Sequence, residues 1–349
     1  MSHILLTGGT GFIGSHILIE LLKNDYKVTI LDSNINSSSD VIENVLSISE
    51  VKKTFKEKNL NFIKGDIRNE LLLDDIFKSA VKEKNAINSV IHLAGLKSVS
   101  ESELIATEYW DANVLGSIRL VKIMSKYKCN TIIFSSSATI YSSENESCFK
   151  EDSLIKPINP YGNTKAAIEK LLSDTFASSP ESWKIISLRF FNPIGAHYSG
   201  KISEDPKGKP NNIFPIILQV AAGELDYIEV FGNDWDTYDG TGVRDYVHVM
   251  DIAEGHLCAL RYLEKNPPTC LKVNLGTGKG TSVMELINTF QNVNDLKLNF
   301  KIAKKRKGDV AISIADNSLA KKLLGWIPKR NLEVMCRDGW KSKLNFNHK

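Results

Sequence analysis

The chain has 349 residues, 42% of them hydrophobic and 24% charged, with a net charge of +3 at pH 7. These globular values exclude a disordered or fibrous chain and give no general reason to expect nucleic acid or an anionic membrane as a partner. The length exceeds one simple domain and fits a large α/β domain with a smaller second one. No apolar run approaches the ~20 residues that span a bilayer. Residues 1–9 lead straight into a glycine loop without basic and apolar leader regions, so no secretory signal is expected. Five cysteines lack any Cys-x-x-Cys pair and seven histidines lack metal-ligand spacing. Neither a disulfide framework nor a metal site is expected, and a reducing, cytoplasmic setting fits. His92 and His248 lie in strand-like stretches and read as structural.

In chain order, His3–Thr7 is a short apolar strand, and Phe12–Lys23 carries Ile13, Ile17, Leu18, Leu21 and Leu22 at helical spacing. Lys27–Asp32 is a second strand, and the serine-rich Asn34–Asp40 is a loop. Asn61–Lys64, Ser89–Leu93, Thr131–Phe134 and Lys184–Arg189 continue the strands, with helices at Leu71–Val81, Tyr109–Tyr127 and after Pro160. This alternation implies βαβ units, right-handed crossovers and a doubly wound parallel sheet. Beyond Asn192 prolines and glycines accumulate, with helices near Ile216–Gly223, Asp251–Glu264 and Ser282–Phe290. A boundary near residue 190 gives a first domain, 1–190, and a smaller α/β domain, 191–349. A segment near 240–258 is free to return to the first domain.

Thr7–Gly14 follows the first strand and opens the first helix, with Gly8, Gly11 and Gly14 spaced G-x-x-G-x-x-G. Glycines there let the backbone turn sharply and approach a pyrophosphate, whose charge the helix N-terminus favours. The second strand ends in Asp32, about twenty residues on, where a carboxylate accepts from a ribose 2′-hydroxyl and repels a 2′-phosphate. This is the Rossmann arrangement and favours NAD over NADP. No G-x-x-x-x-G-K-[ST] supports nucleoside triphosphate hydrolysis. Asp66 ends the third strand and Leu93-Ala94-Gly95 the fourth, at the carboxyl ends where open sheets bind ligands. The small residues there also suit close helix–strand packing, and both readings stand.

The fifth strand ends in hydroxyls, Ser135-Ser136-Ser137-Ala138-Thr139, and Tyr161 and Lys165 share one face of the next helix. A free tyrosine titrates near ~10 and is a poor base at neutral pH. A cation about 4 Å away contributes ~4 kcal/mol at an effective dielectric of ~20, or roughly three pKa units. Lys165, with an oxidised nicotinamide, is thereby expected to hold Tyr161 partly as phenolate. Tyr161 then takes a proton from a substrate alcohol while hydride leaves for the cofactor, and Ser137 bonds the same oxygen.

Together these motifs resemble the extended short-chain dehydrogenase/reductase superfamily. Phe191–His197 and above all Gly240–Asp251 (GTGVRDYVHVMD) narrow the likeness to its UDP-glucose 4-epimerase family, over residues 3–340. The resemblance implies that Ser137 and Tyr161 are catalytic, with Lys165 positioning the cofactor. It implies NAD contacts at Phe12, Ile13, Asp32, Asp66, Ile67, Leu93, Ala94, Gly95, Lys97, Asn113 and Lys165, beside the glycines. For a UDP-hexose it points to Lys97, Ser137, Tyr161, Asn192, Asn211, Asn212, Ile213, Arg244, Arg306 and Asp309. Arginine forks suit a diphosphate, and asparagines suit sugar oxygens. Lys304-Lys305-Arg306-Lys307 therefore reads as part of this site, not as a nucleic-acid patch. Phe190 stands where the family often has tyrosine.

The implied reaction is an isomerisation in which C4 of the sugar is oxidised, the 4-keto sugar turns over, and hydride returns to its other face. UDP-glucose and UDP-galactose interconvert without net oxidation, and NAD is retained. The resemblance further implies a cytoplasmic homodimer. Ser313 stands where some members carry tyrosine; a small residue there leaves room for the N-acetyl group of UDP-N-acetylglucosamine or UDP-N-acetylgalactosamine. Two rivals remain. A nucleotide-sugar 4,6-dehydratase starts with the same oxidation, but its Asp-Glu pair after the strand-five hydroxyl is missing, since Ser137 is followed by Ala138-Thr139. A non-enzymatic dinucleotide-binding regulator has no need of Tyr161 and Lys165.

Overall fold

A computed structural model describes residues 2–54, 57–142, 146–204, 210, 212–306 and 308–347. Its centre is a sheet of seven parallel strands: β1 (His3–Thr7), β2 (Lys27–Asp32), β3 (Leu60–Lys64), β4 (Ser89–His92), β5 (Thr131–Ser137), β6 (Lys184–Phe190) and β7 (Thr269–Leu275). Their order across the sheet is β7-β6-β5-β4-β1-β2-β3. The strand order reverses between β1 and β4, which is the switch point where open α/β sheets bind ligands.

The two-residue period of the strands sends alternate side chains to opposite faces. Leu6, Ile30, Ile91, Ile133 and Ile186 share one core with α1 (Phe12–Lys23). Leu5, Leu31, Val90, Ile132 and Ile185 share the other with α2 (Glu70–Lys82), α3 (Gly116–Lys126) and α4 (Pro160–Ser178). The first core also takes α5 (Val249–Lys265), whose Ile252, Leu257 and Leu260 pack beside Ile17 and Leu21. The fold is therefore a doubly wound, Rossmann-type α/β sheet.

β7 is an addition to the strands read from sequence, and the chain after residue 249 returns to the sheet to supply it. The expected helix Tyr109–Tyr127 is not one regular element. Ala106–Tyr109 is α-helical, Trp110–Leu115 forms a wider π turn, and α3 resumes at Gly116. A Cβ on Gly116 would sit 2.6 Å from the Ile67 side chain, so the bare backbone lets helix and β3 loop approach. The expected loop at Asn34–Asp40 passes directly into a helix at Asp40–Leu46.

Beyond the sheet, Val243–Arg244 pairs in parallel with Ile312–Ala315 and antiparallel with Thr281–Ser282. Ile228–Phe231 pairs with Phe300–Ala303, and Asn192–Ile194 with Tyr246–His248. A third core of Phe214, Ile217, Leu286, Phe290 and Cys336 holds these short pieces together.

Candidate active site

One cavity of about 900 Å³ runs along the carboxyl ends of the sheet strands and under the short strands beyond it. Its floor is the glycine loop. Gly8 has φ +71°, a left-handed conformation that favours glycine, and a Cβ there would lie 2.8 Å from the Ala94 amide nitrogen. A Cβ on Gly14 would lie 2.2 Å from the Gly8 carbonyl oxygen. Gly11 precedes α1 with no capping side chain, and no acid occupies the first turn. The positive end of the helix thus opens into the cavity, and its donors and shape fit a pyrophosphate.

Asp32 is buried at the next strand end. Its Oδ2 accepts from the Thr10 N–H (3.0 Å), and its Oδ1 from the Asn34 N–H (2.9 Å) and the Ser37 hydroxyl (3.2 Å). These bonds aim the carboxylate, and no cation among the described residues pairs with it. Asp66 is different: Arg68 clasps both its oxygens, from 2.6 Å, and holds it well below the usual carboxylate range. Arg68 reaches on to Asp111 at 2.6 Å. Phe12, Ile13, Ile67, Leu93, Ala94, Gly95 and Lys97 also line the cavity.

Asn113 stands behind this wall. Its amide accepts from the Leu96 N–H (2.7 Å) and donates to the Leu96 carbonyl (3.1 Å) and Thr164 hydroxyl (3.0 Å). It ties the β4 loop to α4. His92 bridges Thr7 and Ser117 through its two nitrogens, and burial lowers its pKa to about 3. His248 caps α5 by accepting from the Met250 N–H.

Asn159 caps α4 through the Gly162 N–H (2.8 Å), and Pro160 occupies the first turn. This start brings Tyr161 and Lys165 onto the buried face against β5. The Ser137 hydroxyl accepts from the Thr139 N–H (3.2 Å) and Thr139 hydroxyl (3.0 Å). Its own proton is left to donate into the cavity, on the side where Tyr161 also lies.

The phenolate expected at Tyr161 draws on Lys165 together with an oxidised nicotinamide. Lys165 Nζ donates to the Ser135 carbonyl at 2.9 Å and lies 5.8 Å from the Tyr161 ring centre. Burial pushes Tyr161 up to about 12, against the pull of Ser137, and pushes Lys165 down to about 8. In the protein alone, desolvation outweighs the attraction between the pair. Lowering Tyr161 toward neutrality then requires charge that arrives with the bound dinucleotide.

Across the cavity, Asp309 sits between two arginines. Arg306 Nε donates to it at 2.9 Å, and the Arg244 guanidinium is 3.9 Å away. Arg306 also lies over the Phe231 ring, 4.5 Å from its centre. Asn192, Asn212 and Ile213 line the same cavity. Lys97 pairs with Glu204 at 2.8 Å. Asn211 lies outside the described residues. Ser313 does not line the cavity, but it pairs directly with Arg244, so its side chain shares that face of the short sheet. Phe190 lines the cavity, with its ring 6.2 Å from that of His256.

Several lining residues escaped the sequence reading: Asn36, Arg68, Thr139, Glu204, Phe231 and Trp235. Thr139 had a usable signal, two residues beyond Ser137. Phe231 and Trp235 are aromatic residues in a loop-rich region, where nothing local marks a binding wall.

A dinucleotide-type glycine loop and a Tyr–Lys pair facing a strand-end serine place the site in the short-chain dehydrogenase/reductase class. Residues 5–339 match the family model described as GDP-mannose 4,6 dehydratase. The UDP-glucose 4-epimerase of Dictyostelium discoideum is 45% identical over 345 residues, covering 99% of this chain and 96% of that protein. A crystal structure of the enzyme from Stenotrophomonas maltophila, with bound NAD and formylated UDP-arabinopyranose, is 41% identical. It covers 100% of this chain and 99% of its own, with a TM-score of 0.92. That from Bifidobacterium longum, in complex with NAD+ and UDP, is 39% identical over 99% and 98% of the two chains, with a TM-score of 0.90. The chain belongs to the UDP-glucose 4-epimerase family of extended short-chain dehydrogenase/reductases.

Proposed function

We propose that this protein interconverts UDP-glucose and UDP-galactose, with NAD as a retained cofactor. The observation that carries the reading is one cavity joining the glycine loop and Asp32, the Ser137–Tyr161–Lys165 group, and the Arg244–Arg306 pair. Bound there, NAD would supply a reversible hydride acceptor for C4 of the hexose. Gly8, Gly11 and Gly14 let its pyrophosphate reach the start of α1, and Asp32 takes the adenosine ribose hydroxyls. Tyr161 removes the proton of the C4 hydroxyl and restores it after the ketone has turned. Ser137 donates to the same oxygen and stabilises charge developing there. Lys165 fixes the geometry of the nicotinamide ribose. Arg244 and Arg306 hold the diphosphate, so that the sugar turns while tethered.

Residues 1–190 are read as the NAD-binding domain, with residues 249–275 lent to its sheet, and 191–349 as the nucleotide-sugar domain. The position after Ser137 holds Ala138 in a short turn, which offers no acid for expelling water and favours epimerisation over dehydration. A homodimer and a cytoplasmic setting complete the proposal. Leu104, Trp110 and Ile118 are exposed apolar side chains that a second copy would cover. No helix among the described residues is long and apolar enough to cross a membrane. The test is to incubate the purified protein with UDP-galactose and resolve the nucleotide sugars. Conversion to UDP-glucose without added cofactor supports the reading; a 4-keto-6-deoxy product indicates the dehydratase, and bound NAD without turnover indicates a regulator.

A further inference from the structure

The buried face of α4 does not end with Lys165. One turn further on it carries Glu169, which is also buried. Arg189 on β6, with none of its side chain exposed, grips this carboxylate with Nε at 2.9 Å and Nη2 at 2.7 Å. The Ser136 hydroxyl donates to the same carboxylate at 2.5 Å. Arg189 Nη1 donates to the Tyr141 hydroxyl (2.9 Å) and Glu151 carbonyl (2.8 Å), and Tyr141 donates to Asn274 Oδ1 at 2.6 Å. None of these groups reaches the cavity. Burying an ion pair gives little net stability, because desolvation cancels most of its Coulomb energy. A fully bonded pair one helical turn below the reactive group is therefore better explained by what it does to its neighbour.

We infer that Glu169, held by Arg189 and Ser136, is a positioning residue that keeps the Lys165 ammonium charged and directed at the Ser135 carbonyl. The strand sets up the arrangement. Ser135 offers its carbonyl to Lys165, and its neighbour Ser136 offers its hydroxyl to Glu169. Adjacent residues of β5 thus hold the Lys165 and Glu169 side chains of α4.

The charges around Lys165 favour this role. Tyr161 and Glu169 lie on its own helix, and Arg189 approaches from β6. His92 is on β4, and His256 on α5 holds the Ser135 hydroxyl at 2.9 Å. Tyr109 meets Tyr161 edge to face, with its hydroxyl held by Glu101, while Asp111 is taken by Arg68. β7 contributes Cys270 and Lys272 on the far side of β6. Burial lowers the Lys165 pKa, and Glu169 is the group that opposes it. Without that carboxylate, buried Lys165 would keep only the uncharged Ser135 carbonyl as its bonded partner, and Arg189 would lose its own.

The inference rests on the epimerase reading, and the test separates the two. The pH dependence of kcat is measured on the NAD-loaded protein with UDP-galactose. A wild type without turnover removes the epimerase reading itself. Given turnover, activity requires protonated Lys165 and falls as pH rises through its pKa. Glu169→Gln should move this alkaline limb down by roughly one pH unit or more, with KM little changed. Arg189→Met leaves the carboxylate and removes a cation, so it should move the limb up. General structural damage lowers kcat at every pH and does not displace the limb in opposite directions. The inference is overturned if a folded variant keeps the wild-type limb, or if both limbs move the same way. Either variant alone decides should the other fail to fold.

Discussion

Lys165 donates to the carbonyl of Ser135, not to the hydroxyl of Tyr161. The two reactive side chains share a helical face, yet the ammonium is anchored to the strand beneath them, and burial moves each away from its charged form. At neutral pH the phenol is therefore protonated while the ammonium keeps most of its charge, and the phenolate waits for the cofactor's charge to be added.

Tyr161→Phe removes only the hydroxyl from this arrangement. The variant should keep its fold and bound NAD, and lose ~10²-fold or more in kcat, as expected for a positioned acid/base group. The check is turnover of UDP-galactose, with circular dichroism and nucleotide content alongside. Near-normal turnover would remove Tyr161 from the mechanism.

Among the described residues, Asp32 accepts three hydrogen bonds and pairs with no cation. Denatured protein should release NAD and not NADP, measured by mass spectrometry of the nucleotide. Asp32→Asn should narrow the preference by ~10-fold or more, since bonds to a charged group are worth about 1.5–3 kcal/mol. NADP as the main released nucleotide would contradict this role.

Burial lowers His16 and His92 to about 3, and His197 and His256 to about 4, from an ordinary value of 6.5. Their folded pKa lies below the unfolded one, so unfolded chains bind more protons as pH falls. Stability is full above about pH 6.5 and is lost as pH drops toward 4, by roughly 2 kcal/mol for each histidine at pH 5. Urea midpoints measured from pH 7 to 5 should fall steeply, and less steeply in His92→Gln. Midpoints unchanged over this range would refute the linkage.

Ser313 faces the same side of the short sheet as Arg244. With a small residue here, UDP-N-acetylglucosamine should turn over as well as UDP-glucose. Ser313→Tyr should selectively suppress the N-acetyl activity by ~10-fold or more, because filling the space costs about 1–3 kcal/mol. Assaying both sugars on both proteins decides. An absent N-acetyl activity, or an unchanged ratio, would show that another residue gates the pocket.

Much of the fold was legible because its signals are local. The glycine loop, the strand-end serines and the Tyr-x-x-x-Lys spacing each occupy a few contiguous residues. β7 was not read because Thr269–Leu275 mixes Cys270, Lys272 and Asn274 with its apolar residues, as a sheet-edge strand does. The π turn at Trp110–Leu115 leaves the apolar pattern of a continuous helix intact, so periodicity alone could not reveal it. The partners of Lys165 and Asp66 were missed for different reasons. The first is a backbone carbonyl thirty residues away, and the second is an arginine two residues on, to which the sequence reading gave no role. Asn113 was expected to contact the dinucleotide, whereas its amide is bonded to the Leu96 backbone and the Thr164 hydroxyl, partners set by the loop it ties down.

Asp309, flanked by Arg306 and Arg244, gives the end of the cavity proposed for the diphosphate an internal stand-in for its ligand. The two guanidinium groups are already gathered around an anion, so binding a diphosphate is a partner exchange more than the capture of two free cations. Such an exchange releases few bulk ions, and the affinity for UDP should depend less steeply on salt than two arginines suggest. It also leaves Asp309 free to turn toward another hydrogen-bond donor on the incoming nucleotide. The same carboxylate thus holds the arginines ready before binding and becomes available once they are engaged.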